Sequence, residues 1–135
     1  MANTLVATGK GAILAAYAAA VAAAGHSFKV VLVDDGAYTY SAAHDNLDDI
    51  PAPARIATSP ALTSITTTDG VFDTADVTIT AVTGTTVERA VLFRDSGTAS
   101  TSTILAQYDT ATGLTLTPTG GSVVVTVSAS GWFAL

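Results

Sequence analysis

Asp76-Val77-Thr78-Ile79-Thr80-Ala81-Val82 is the stretch whose reading decides the fold class. Val77, Ile79 and Ala81 alternate with Thr78, Thr80 and Val82, and a period of two places successive side chains on opposite faces of a strand, one packed and one wet. Downstream, Thr83-Gly84-Thr85-Thr86 supplies a turn, and residues 87–95 are expected to return as the hairpin partner. A further strand is expected at Thr103-Ile104-Leu105-Ala106-Gln107-Tyr108, and others at residues 114–117, 122–128 and 131–135. Upstream, Arg55-Ile56-Ala57-Thr58 and residues 62–68 lead into a Thr68-Asp69-Gly70 turn. His26-Ser27-Phe28-Lys29-Val30-Val31-Leu32-Val33, bounded by Gly25 and by Asp34-Asp35-Gly36, reads as a strand buried on at least one face. Between these, Ser41 reads as the N-cap of one short helical turn that carries His44 and Asp45 and runs to about Leu47, with Pro51 and Pro53 preventing its continuation. Seven or eight short strands at intervals of roughly 10 residues, punctuated by Gly and Asp, point to an antiparallel β-sandwich or small barrel.

The chain before residue 25 has a different character. Gly11-Ala12-Ile13-Leu14-Ala15-Ala16-Tyr17-Ala18-Ala19-Ala20-Val21-Ala22-Ala23-Ala24-Gly25 is alanine-rich, and alanine favours helix because it loses no side-chain entropy there. Three readings compete for it. As a membrane span it is short, since about 20 apolar residues are needed to cross a bilayer by helix and alanine supplies little transfer energy. As a secretory signal it has one basic residue ahead of it, Lys10, and a passable cleavage site at Ala22-Ala23-Ala24. As a structural helix it is ended by Gly25, for which a left-handed conformation carries no steric penalty. The third reading is the expectation, and Ile13, Leu14, Tyr17 and Val21 form its stripe of large side chains for packing. The resulting fold class is mainly β with an N-terminal α-helix (α+β). One domain spans residues 11–135 with a leading helix at 11–25, preceded by an arm at residues 1–10.

Composition excludes whole classes of function. The chain has 135 residues, enough for one core, and with 49% hydrophobic and 12% charged residues it is far from the composition of a disordered chain. Five Lys and Arg against eleven Asp and Glu give a net charge of -6, so the chain lacks the clustered cations that hold nucleic-acid phosphates. Without cysteine there is no thiol nucleophile, thiolate metal site or disulfide framework. His26 and His44 are the only histidines available to a Ser-His-Asp arrangement, and no G-x-S-x-G elbow accompanies them. His44, Asp45, Asp48 and Asp49 do not follow the D-x-[DN]-x-[DN]-G spacing of a Ca²⁺ loop and read as solvated turn acids. Gly9-Lys10-Gly11 lacks the remaining positions of a phosphate loop. Glu88, the only glutamate, lies within an expected strand rather than in a carboxylate pair. The reading is of a non-enzymatic protein with no cofactor, no metal, no nucleic acid and no membrane partner. A surface of small, uncharged residues packs against copies or other subunits without desolvating many ions, which suits a subunit of an assembly.

The order of motifs resembles a family of small structural proteins from the virions of tailed bacteriophages. The resemblance runs over roughly residues 28–135. It is carried by Val30-Val31-Leu32-Val33-Asp34, His44-Asp45-Asn46-Leu47-Asp48-Asp49-Ile50-Pro51-Ala52, and Ala90-Val91-Leu92-Phe93-Arg94-Asp95-Ser96-Gly97. Tyr108-Asp109, Thr112-Gly113-Leu114, Gly120-Gly121 and the closing Gly131-Trp132-Phe133-Ala134-Leu135 add to it, and Asp69-Gly70-Val71-Phe72-Asp73-Thr74-Ala75-Asp76-Val77-Thr78 is its most specific part. The alanine-rich helix departs from the more polar N-terminus usual in that family. The resemblance implies a capsid decoration or cement protein on the outer surface of the virion, assembled in the host cytoplasm. Its partners would be the major capsid protein and further copies of itself, as a homotrimer or other homo-oligomer. Asn3, Thr4, Leu5, Val6, Ala7 and Thr8 are then the candidate capsid contact, as an arm that adds a strand to a sheet edge. A tail tube or fibre component is the alternative, with Tyr38 and Tyr40 as its candidate exposed recognition residues, whereas Trp132 is expected in the core.

Overall fold

The computed structural model describes residues 3–135, so the first two residues of the expected arm lie outside the described chain. A helix, α1 (Ala7–Ala23), is followed by eight strands: β1 (Ser27–Val33), β2 (Arg55–Thr58), β3 (Val71–Phe72), β4 (Val77–Ile79), β5 (Arg89–Asp95), β6 (Ile104–Tyr108), β7 (Val123–Val125) and β8 (Phe133–Ala134). The α+β class and the antiparallel pairing follow the expectation. The strands form a four-stranded sheet ordered β2-β1-β5-β6 and two separate pairs, β3-β8 and β4-β7, and these sheets do not close on one another.

The central strands explain the layering. Phe28, Val30 and Leu32 of β1, with Leu92 of β5, pack into one apolar cluster together with Leu14 and Val21 of α1, Phe72, Val77 and Ile79. Val31 and Val33, with Val91 and Phe93, pack into a second cluster on the opposite face, covered by Tyr38, Leu47, Ile50 and Ala54. Both faces of β1 and β5 are therefore buried, as their unbroken apolar runs Val30–Val33 and Ala90–Phe93 require. The sheet is the middle of three layers, between the helix with the two strand pairs on one side and the segment 38–54 on the other.

Several expectations are corrected. The helix starts at Ala7, not at residue 11, because nothing in Ala7-Thr8-Gly9-Lys10 prevents it and Lys10 N–H reaches the carbonyl of Val6 at 3.0 Å. Its end is as expected: Gly25, at φ 74°, donates to the carbonyl of Ala22. Residues 87–95 do not pair with residues 77–82. β4 instead pairs with β7, Val77 opposite Val125 and Ile79 opposite Val123. β5, apolar on both faces, takes the centre of the main sheet, with β1 on one side and β6 on the other. Residues 62–68 and 114–117 form single bridges, Thr66 to Asp73 and Val87 to Leu116, rather than strands. The short helical turn after Ser41 falls later, at Leu47–Asp49, capped by Asn46. Glu88 lies just before β5, where its carboxylate accepts the N–H of Asp35 at 2.9 Å.

Candidate functional site

Two surfaces present groups that the fold itself leaves unused. The first is α1 with the segment before it. Within its packing stripe Leu14 and Val21 are buried and Tyr17 is half-buried against Phe28, 6.0 Å between ring centroids. Ile13 does not join them and is 51% exposed, a correction that follows from its place about 100° around the helix from Leu14. Ala12, Ala16, Ala19, Ala20 and Ala23 share the outward side with it. No charged residue follows Lys10 in the helix, and from Ala12 to Ala23 this side carries neither a charge nor a polar side chain. It continues into Leu5 and Val6, which are 56% and 65% exposed. Ala7 and Thr8, expected in the extended arm, belong to the first turn of the helix; Asn3, Thr4, Leu5 and Val6 remain outside it.

The second surface lies beside β6. A groove of about 460 Å³ runs between residues 40–44 and residues 104–107, with Arg89 and Asp109 at one end. Ile104, Leu105, Ala106 and Gln107 all contribute to its wall. Alternate residues of a strand point to opposite faces, so a groove that touches four in succession follows the strand's edge. Arg89, only 8% exposed, is fixed from several sides. Its Nε and Nη2 donate to the two carboxylate oxygens of Asp35 at 2.9 and 3.0 Å, Nη1 approaches Oε1 of Gln107 at 3.5 Å, and the guanidinium sits 5.2 Å from the centre of the Tyr40 ring. The hydrogen bonds to Asp35 hold its pKa above the ordinary arginine value. Sequence reasoning missed this cluster; its signal was a lone arginine opening one apolar run and an acidic pair closing another.

Of the two tyrosines expected to be exposed, Tyr40 is, at 52%, and borders the groove. Tyr38 is buried at 5%, because its ring packs into the second cluster while its hydroxyl hydrogen-bonds Nδ1 of His44 at 2.8 Å. The other histidine, His26, accepts from Nε of Arg94 at 3.0 Å. Trp132 is half-buried against the first cluster and donates from Nε1 to Oγ1 of Thr74 at 2.9 Å. The carboxylate of Asp49 accepts the N–H groups of Asp45 and Asn46, which hold its pKa below the usual carboxylate range. Cations are likewise engaged within the fold: Lys29 with Asp95 at 2.7 Å, Arg55 with the carbonyl of Ile50, Arg89 with Asp35 and Arg94 with His26. Compared with protein-family profiles and with curated proteins, the chain matches none.

Proposed function

We propose that the chain is a non-enzymatic structural subunit of a tailed-bacteriophage virion, a capsid decoration or cement protein bound to the major capsid protein on the head surface. The motif resemblance over residues 28–135 supplies the class. In this reading the four-stranded sheet and the two strand pairs stand for the layers of a sandwich. The observation that carries it is the charge-free outward side of α1, continued by exposed Leu5 and Val6. Such a surface gains by being covered, and covering it strips water from no ion. Its size favours an assembly over a simple pair. A helix of 17 residues is about 25 Å long, so two such faces in contact bury on the order of 500 Å², well below the roughly 1,200 Å² of a stable pairwise interface. Repetition by symmetry, with more than one neighbour per subunit, makes up the difference through avidity.

Cryo-electron microscopy of the particle that carries the protein tests the proposal. Density on an icosahedral lattice beside the major capsid subunit is expected, with α1 at a contact. Density confined to the tail would transfer the protein to the tail reading, in which exposed Tyr40 is the next residue to mutate.

A further inference from the structure

The strand order leaves β6 at an edge of the main sheet, with β5 as its strand partner among the described residues. Its outer side is occupied for a short distance. Asn46 bridges Thr103, with Leu47 N–H donating to the carbonyl of Ser102 at 2.9 Å and Ile104 N–H to that of Asp45 at 2.8 Å. Before this bridge, Tyr40, Ser41, Ala42 and His44 line the groove together with β6, His44 being held by the Tyr38 hydroxyl. A fifth strand is thus begun beside β6 and abandoned, and along Leu105, Ala106 and Gln107 its place is taken by the groove, which reaches on to Asp109. An unpaired edge in an open groove is a template for an added strand.

We infer that this edge takes residues 3–6 of a second copy as the missing strand. Asn3, Thr4 and Leu5 make no main-chain hydrogen bond to the rest of the described chain, and Val6 is already extended, at φ −76° and ψ 154°. Four extended residues span about 13 Å, the length of β6 from Leu105 to its end at Tyr108. Leu5 and Val6 are among the most exposed large apolar side chains of the protein, and in their own subunit they lie outside the groove. The segment also brings no charge, so a chain of net charge -6 can accept it beside Asp109 without like-charge repulsion. Each subunit gives one arm and receives another at a different surface. Two copies that exchange arms reciprocally form a two-fold pair, and copies that pass the arm onward form a ring or a chain of subunits. This rests on the self-assembling reading above and names the contact that joins the copies.

The absence of cysteine makes engineered cross-linking clean. The full chain carrying Val6→Cys and Gln107→Cys, mildly oxidised and analysed on non-reducing gels with peptide mass spectrometry, is expected to give multimers linked from 6 to 107. Their yield should exceed at least tenfold that of a Val6→Cys, Val124→Cys control, and Leu5→Asp added to the first variant should abolish them. Light scattering on the unaltered chain separates the two levels of the reading. Assembly without a link from 6 to 107 overturns the arm contact and leaves self-assembly standing, and a link formed within one chain overturns the second copy as donor. A monomer at every concentration up to the millimolar range overturns both.

Discussion

Asp35 and Arg89 meet because Val33 pairs with Arg89 at the end of the central ladder, which brings the acid two residues beyond β1 onto the guanidinium that opens β5. The pair ties the turn after β1, which leads into the segment 38–54, to β5 beside the β6 groove. Arg89→Met keeps most of the packing but strands the carboxylate. The expected loss in urea unfolding is about 2 kcal/mol, below the 3–5 kcal/mol typical of a fully buried pair because Asp35 keeps some water. Arg89→Lys should recover less than half of it, since a point charge cannot make two parallel bonds. A loss under about 0.5 kcal/mol for Arg89→Met would mark the pair as an ordinary surface contact.

Phe72 links the helix side of the core to the C-terminus, at 4.9 Å from Phe28 edge-on and stacked at 5.3 Å on Phe133. Phe72→Ala is expected to cost about 3–5 kcal/mol, a large share of a small domain's stability. Ile13→Ala, on the outward side of α1, should stay within about 0.5 kcal/mol for the unassembled chain while weakening association. Denaturation with light scattering on both variants distinguishes core from contact.

Two glycines with nearly the same backbone conformation should respond differently to alanine. Gly97 (φ 88°) faces open space, and Gly97→Ala is expected to cost about 1 kcal/mol from conformation alone. At Gly131 (φ 73°) a methyl group would fall 2.5 Å from the carbonyl oxygen of Phe72 and 2.9 Å from Cγ1 of Val71, forcing β3 and the β8 entry apart. Thermal unfolding should show at least twice the loss for Gly131→Ala.

Acid should weaken the fold in a defined window. Hydrogen bonding from Lys29 holds Asp95 below the usual carboxylate range, and bonds from Thr85 and the Gly36 N–H do so for Asp34. For such groups the unfolded chain takes up protons first, so their contribution is complete above the ordinary carboxylate pKa and is lost as pH falls through the folded value. Melting temperature is expected to be level from about pH 7 to 5 and to fall below about pH 4, less steeply in Asp95→Asn. At the alkaline end burial raises the pKa of Tyr108, whose hydroxyl donates to the carbonyl of Trp132. Here the unfolded chain ionises first, and stability is lost as pH rises past about 10 toward the folded value. Tyr108→Phe should remove that limb.

What was legible in the sequence was local. Gly25 stops the helix, residues 68–70 turn, and residues 77–79 alternate, each through chemistry contained in a few neighbouring residues. Partner choice was not local. Nothing near Val77 says that its opposite number is Val125, and the turn at residues 83–86 suggested a nearer one. Burial of both faces of β1 was written in Val30-Val31-Leu32-Val33, a run without a polar break, although one buried face accounts for its boundaries equally well. Tyr38 and Tyr40 look alike in sequence; only the His44 ring and the second cluster separate them. The groove beside β6 depends on which strand lies at the edge, and so became visible only with the strand order.

The seven-residue match of β1 to β5 has a consequence for the birth of the chain. During synthesis β1 emerges early, but its central neighbour follows about sixty residues later. Until then Val30–Val33 has at most the short β2 beside it, and a sticky apolar strand stays open to other nascent chains. So high a contact order makes folding slow and delays the cooperative step until most of the polypeptide has left the ribosome. Translation that stalls before residue 89 therefore releases a fragment with a ready aggregation site, and yield on overexpression should rise when synthesis is slowed by lower temperature.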